Sequence, residues 1–147
     1  MVAIYEYRYS RHKIAEPPGT VRSPADVAAV PCECVPPSSA ETEQFVLAVL
    51  DTQNAIIRTE SLYVGYVAGS PVRVSEVFRT AVRLNATSIV VAHNHPSGDP
   101  TPSDADIEIT RELARAGRIL DIGVLDHVVL GSDGRSASLR ALGYLEV

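Results

Sequence analysis

Apolar and polar positions alternate at the start of the chain. Tyr5, Tyr7 and Tyr9 fall on one side of an extended backbone and Ile4, Glu6 and Arg8 on the other, which predicts a strand over residues 2–9. Residues 10–22 are polar and Pro-rich and read as a linker. Ser23 as N-cap and Pro24 at the first helical position open a short helix through Val30. The stretch PCECVPPSSA, 31–40, has three prolines and no regular structure is expected there. Gln44 to Leu50 is almost wholly apolar and predicts a strand buried on both faces. The turn signal Asp51-Thr52-Gln53-Asn54 leads into a second strand, AIIRTESLYVGYV. Val77, Phe78, Ala81, Val82 and Leu84 form a helical stripe over 75–84, and the β-branched run SIVVA, 88–92, is a short buried strand. A second helix spans 103–117 with Ile107, Leu113, Ala114 and Gly117 on its core side. A strand over 122–131 follows, closed by the turn Gly131-Ser132-Asp133-Gly134. Both helices follow apolar strands and are expected to cover a sheet.

A chain of 147 residues suggests one domain, long enough to bury a core without staples. Net charge is −5, which argues against loose phosphate-driven nucleic-acid binding. No apolar run approaches the length of a membrane span, and the start lacks the uninterrupted apolar core of a signal peptide. Two cysteines, Cys32 and Cys34, make no disulfide framework. These features predict a cytoplasmic protein that does not engage a membrane.

Chemistry concentrates in VVAHNHPSGDPTPSDADI, 90–107. Residues two apart in a strand share a face, so His93 and His95 project together from the end of SIVVA while Asn94 points away. Pro96 stops the ladder, leaving the pair at the lip of the sheet, and two imidazoles at that spacing can hold one metal ion. A catalytic zinc site takes three protein ligands and keeps one position open. The third candidate is Asp106, in the first turn of the helix opened at Ser103, where the helix dipole favours a carboxylate. The loop PSGDPTP is long enough to bring that turn under the histidines. Ser103 itself reads either as an ordinary N-cap or as a catalytic hydroxyl.

A hydrolase also needs a base. Asp99 and Asp104 look solvated. Glu43, at the mouth of the strand FVLAVL, and Glu76, at a helix start, both remain open. His127, in VLDHVVL, reads as a structural core residue or as an outer partner that orients a ligand. His12 is expected in solvent. The N-terminal tyrosines are expected to pack an added strand, within the chain or across a homodimer.

The pattern Glu43…His93-x-His95-x(7)-Ser103-x-x-Asp106 resembles the JAMM motif of the MPN/JAB metallopeptidase superfamily. HNHPSGDPTPSDADIEIT (93–110), LDHVVLG (125–131) and LAVLDTQNAI (47–56) are similar to signatures of its RadC family. The resemblance runs from about Ser23 to Tyr144. It implies an α/β fold, a single MPN/JAB-like domain over 23–147 with a mixed β-sheet flanked by helices, residues 1–22 being an N-terminal strand and linker. It implies Zn2+ held by His93, His95 and Asp106, with Glu43 as general base and then acid and Ser103 stabilising the oxyanion. The implied activity is that of a zinc-dependent metallopeptidase-like hydrolase cutting a peptide or isopeptide bond through metal-activated water. The alternative is a non-catalytic MPN-like interaction module or a DNA-repair-associated accessory protein. RadC proteins carry a helix-hairpin-helix region ahead of this domain. About 40 residues precede Glu43 here, and they read instead as a strand, a linker and a short helix, so no strong nucleic-acid binding is expected. Val74-Ser75-Glu76 also departs from the family's Pro-Arg-Glu. The contiguous letters HNH do not reproduce the dispersed residues of HNH nucleases.

Overall fold

A computed structural model describes residues 19–21, 26, 42–64 and 72–145. The expected strand over 2–9, almost all of the helix over 23–30, the Pro-rich stretch with Cys32 and Cys34, His12, and the second strand beyond residue 64 lie outside the described residues.

The described elements are β1 (Gln44–Leu50), β2 (Ile56–Val64), α1 (Val74–Arg83), β3 (Ser88–Asn94), α2 (Asp104–Leu120), β4 (Gly123–Leu130) and β5 (Ser136–Ser138). They form an α/β unit around one mixed sheet in the order β2-β1-β3-β4-β5. β1 pairs antiparallel with both β2 and β3, β3 runs parallel to β4, and β5 closes the sheet antiparallel to β4. The parallel pair is joined by α2, because a parallel crossover needs a long connection.

Alternation along β1 splits the core in two. Phe45, Leu47 and Val49 join Ile89 and Val91 on one face, packed against Val77, Phe78 and Ala81 of α1 and Leu113 of α2. Val46, Ala48 and Leu50 join Val90, Ala92, Val128 and Leu130 on the other, with Val21. The expectation of a strand buried on both faces holds, and both helices cover the same face. The linker's last residues are pinned to the sheet: Thr20 bridges Ala55, and the Val21 amide donates to the Asn54 carbonyl. Asp51 closes the predicted turn, its carboxylate accepting from the Gln53 and Ala55 amides.

Three features differ from the sequence expectation. α2 runs to Leu120, past the last core residue, and stops only where Asp121 turns left-handed at φ 55°. Ile119 and Leu120 are exposed there, so the apolar stripe gave no sign of the extra turn. Ile107 and Ala114 are only half-buried, while Thr110, a polar residue on the same stripe, is fully buried. The short strand β5 follows the Gly131–Gly134 turn, and three residues of Ser-Ala-Ser carry no strand pattern. No described helix is long and apolar enough to cross a membrane.

Candidate metal centre

β3 carries His93 to its buried end, two residues further than the apolar run SIVVA alone suggested. The strand ladder stops before Pro96, although the His95 amide still donates to the Leu130 carbonyl. The next residues turn back at once: the Gly98 amide donates to the His95 carbonyl, with Gly98 at φ 81°. The β4–β5 turn clamps this loop. The Ser132 amide and the Arg135 guanidinium both donate to the Gly98 carbonyl, at 2.9 and 3.0 Å. Gly131 is needed for the close approach, since a Cβ there would lie 2.5 Å from the Gly98 carbonyl oxygen.

The loop ends at Ser103, which caps α2 with a reciprocal capping box. Ser103 Oγ accepts from the Asp106 amide at 3.2 Å, and the Asp106 carboxylate accepts from the Ser103 amide at 2.8 Å. The N-cap reading of Ser103 therefore holds. Its Oγ is used there as an acceptor, which leaves the hydroxyl hydrogen available to a further partner.

His93, His95 and Asp106 converge into a group that can hold a metal ion. His93 Nε2 lies 3.1 Å from His95 Nε2 and 3.1 Å from Asp106 Oδ1, and His95 Nε2 lies 3.2 Å from Asp106 Oδ2. His93 is 1% exposed, whereas the side chains of His95 and Asp106 are 18% and 14% exposed, so the group reaches solvent through these two residues. Burial alone would raise the Asp106 pKa. The hydrogen bond and positive charge that a protonated His93 supplies, together with the Ser103 cap, outweigh it and, with no metal bound, hold the carboxyl well below the usual carboxylate range.

The donor set fits a metal. The Asp99 carbonyl can only accept, so the 2.9 Å contact with His95 Nδ1 places the hydrogen on Nδ1 and leaves Nε2 of the neutral ring as a bare lone pair. A bare imidazole nitrogen aimed at a carboxylate and a second imidazole calls for a cation among them.

His127 of β4 lies behind His93. It is fully buried, with Nε2 2.9 Å from His93 Nδ1 and Nδ1 2.6 Å from Thr110 Oγ1. Burial first, then the neighbouring His93, push its pKa down to about 3. Phe45 stacks on His93 at 6.0 Å between centroids and meets His127 edge-on at 5.7 Å.

Glu43 immediately precedes β1. Extending the Phe45–His93 register by two residues sets its backbone position across from His95. Asn94 fixes the segment from both sides: its Oδ1 accepts from the Gln44 amide at 2.7 Å and its Nδ2 donates to the Thr42 carbonyl at 3.0 Å. The Glu43 carboxylate lies outside the three-ligand cluster and forms no hydrogen bond with the other described residues. Glu76, the other carboxylate left open by the sequence, is tied to the Tyr63 hydroxyl and to Arg73.

Sequence reasoning missed Asn94, Thr110 and Arg135. Thr110 had a signal, being four residues after Asp106 and three before Leu113 on one helical stripe. Asn94 and Arg135 had none, because their partners are distant in the chain.

A family model described as the RadC-like JAB domain matches residues 21–144. UPF0758 proteins of Roseiflexus castenholzii and Chloroflexus aurantiacus are 49% and 50% identical over 123 residues, covering 84% of this chain and 52% of each relative. A UPF0758 protein of Bacillus cereus is 40% identical over 141 residues, covering 96% of this chain and 57% of its own length. The chain thus spans about half the length of the curated relatives it matches. With that match running from β1 through the loop and helix that gather His93, His95 and Asp106, the chain belongs to the RadC-like JAB domain family.

Proposed function

We propose that this domain is a zinc-dependent hydrolase of metallopeptidase type, acting on a peptide or isopeptide bond. The observation that carries the reading is the convergence of two imidazole nitrogens and one carboxylate at 3.1–3.2 Å from each other. A tetrahedral ion with N and O ligands at about 2.0 Å separates them by about 3.3 Å, close to that spacing. Two imidazoles favour zinc over magnesium or calcium, which prefer oxygen. Three protein ligands rather than four suit a catalytic site, where one position stays open.

When bound, zinc would supply Lewis acidity and a nucleophilic water at neutral pH. Glu43, on its Asn94-anchored segment, takes the proton released as water adds to the carbonyl carbon. It returns that proton to the amine as the C–N bond breaks. Ser103 donates its hydroxyl hydrogen to the oxygen that becomes negative. Each role uses a capacity the local structure leaves available, since neither the Glu43 carboxylate nor the Ser103 hydroxyl hydrogen is committed elsewhere among the described contacts.

Metal content and cleavage test this together. The purified chain should take up one zinc and cleave members of a fluorogenic peptide and isopeptide library. Glu43→Gln should keep its zinc and lose about 10²-fold or more in turnover. A Glu43→Gln protein as active as wild type removes Glu43 from the mechanism, and a chain that takes up no zinc removes the mechanism itself.

A further inference from the structure

The hydrogen positions behind His93 follow from counting protons along one chain of contacts. Thr110 Oγ1 lies 2.6 Å from the Asp106 carbonyl oxygen and 2.6 Å from His127 Nδ1. A carbonyl oxygen carries no hydrogen, so the single hydroxyl hydrogen of Thr110 goes to Asp106. Toward His127, Thr110 can then only accept, and His127 Nδ1 must carry a hydrogen. His127 is wholly buried and its ring nitrogens meet only Thr110 Oγ1 and His93 Nδ1, with no carboxylate to balance a charge, so the ring is the neutral form and its Nε2 is bare. That bare nitrogen faces His93 Nδ1 at 2.9 Å, so His93 must donate from Nδ1. In the neutral ring that a metal requires, His93 then has its lone pair on Nε2, the atom facing His95 and Asp106.

We infer that His127 and Thr110 are positioning residues that lock the tautomer and ring orientation of His93, so that Nε2 is presented to a metal ion before the ion arrives. The inference rests on the metal-site reading proposed above. Ligand histidines are commonly fixed by a carboxylate or a backbone carbonyl on the other ring nitrogen. His95 follows that pattern through the Asp99 carbonyl. His93 uses a neutral imidazole instead, in a place where an unpaired carboxylate would be costly to bury. The relay ends on the Asp106 backbone, so it joins a ligand on β3 to a ligand on α2 through β4. Phe45 packs against both rings and leaves them no other hydrogen-bond partner on that side.

The test measures zinc affinity of the full chain by competition with a chromophoric chelator, with imidazole 15N spectra of the metal-free protein at mildly alkaline pH. Thr110→Val keeps the side-chain shape and deletes the hydroxyl. His127→Phe fills the space without a lone pair or a hydrogen. His127→Gln can accept from His93 through its carbonyl and donate to Thr110 through its amide. Thr110→Val and His127→Phe should each lose about 10- to 100-fold in zinc affinity, and His127→Gln should recover most of it. In the wild-type spectrum, His93 should carry its hydrogen on Nδ1. Wild-type affinity in a folded Thr110→Val and His127→Phe, or a His93 hydrogen found on Nε2, overturns the inference while leaving the metal site standing. Absence of zinc binding by wild type overturns both. If His127→Phe fails to fold, Thr110→Val decides alone.

Discussion

Gly131 offers a test of how the loop orients the metal ligands. It is not among the positive-φ glycines, so alanine there meets a steric problem rather than a backbone one. Its Cβ would sit 2.5 Å from the Gly98 carbonyl oxygen, 2.8 Å from Pro100 Cδ and 3.1 Å from the Pro100 nitrogen. Ordinary contact begins near 3.4 Å, so the loop must retreat by about 0.9 Å. The Pro100 nitrogen belongs to the Asp99–Pro100 peptide, whose carbonyl fixes His95 Nδ1 at 2.9 Å. Clearing Pro100 itself takes about 0.3–0.6 Å, which stretches that bond to about 3.2–3.5 Å, the edge of hydrogen-bond range. The contact that sets the His95 tautomer would then be weakened. We expect Gly131→Ala to lower zinc affinity by about 10-fold, about 1.4 kcal/mol, on top of an overpacking cost of about 1–3 kcal/mol in stability. The control is Gly134→Ala in the same turn. Gly134 has φ 73° and no neighbour within 4 Å of a built Cβ, so alanine there strains the backbone without pressing on the loop. Chelator competition and thermal melts of both variants separate the two effects. A folded Gly131→Ala that holds zinc as tightly as wild type and Gly134→Ala would refute the coupling of this turn to His95.

Ser103→Asp should keep the N-cap and melt near wild type while turnover collapses. Ser103→Ala should lose about 1 kcal/mol of stability and about 10²-fold in rate, and full activity in Ser103→Asp would reduce the serine to a cap. The metal-free protein should also lose stability in acid through His127. Its folded pKa is depressed to about 3 by burial and by His93, so below about 6.5 the unfolded state binds more protons than the folded one. This contribution is complete above about pH 6.5 and falls as pH drops, by about 2 kcal/mol by pH 5. Urea midpoints across that range should slope less for His127→Gln, and equal slopes would show that His127 is not held neutral.

All three candidate metal ligands were legible in the sequence because their geometry is local. His93 and His95 share a face by strand periodicity, and Ser103 and Asp106 meet by the fixed spacing of a helix start. The apolar runs of β1 and β3 likewise announced a sheet buried on both sides, since alternation was absent where both faces are covered. The loop from β3 to α2 was legible as a return, although not what clamps it.

What the sequence left open depends on partners far along the chain. The residues alone left Glu43 and Glu76 both open as the base, with a slight preference for Glu43, and it was the family resemblance that pointed to Glu43. Only the fold showed Asn94, some fifty residues away, pinning the backbone on both sides of Glu43, and Tyr63 and Arg73 occupying Glu76. His127 read as a core residue or a ligand's partner, and β4 lying beside β3 in parallel register sets its ring against His93. Thr110 went unread in the sequence, and that same pairing gives it a buried nitrogen to meet. Short-range periodicity fixes which way a side chain points. Which group it meets is decided by strand order and register, and these are properties of the assembled sheet that no local stretch of sequence contains.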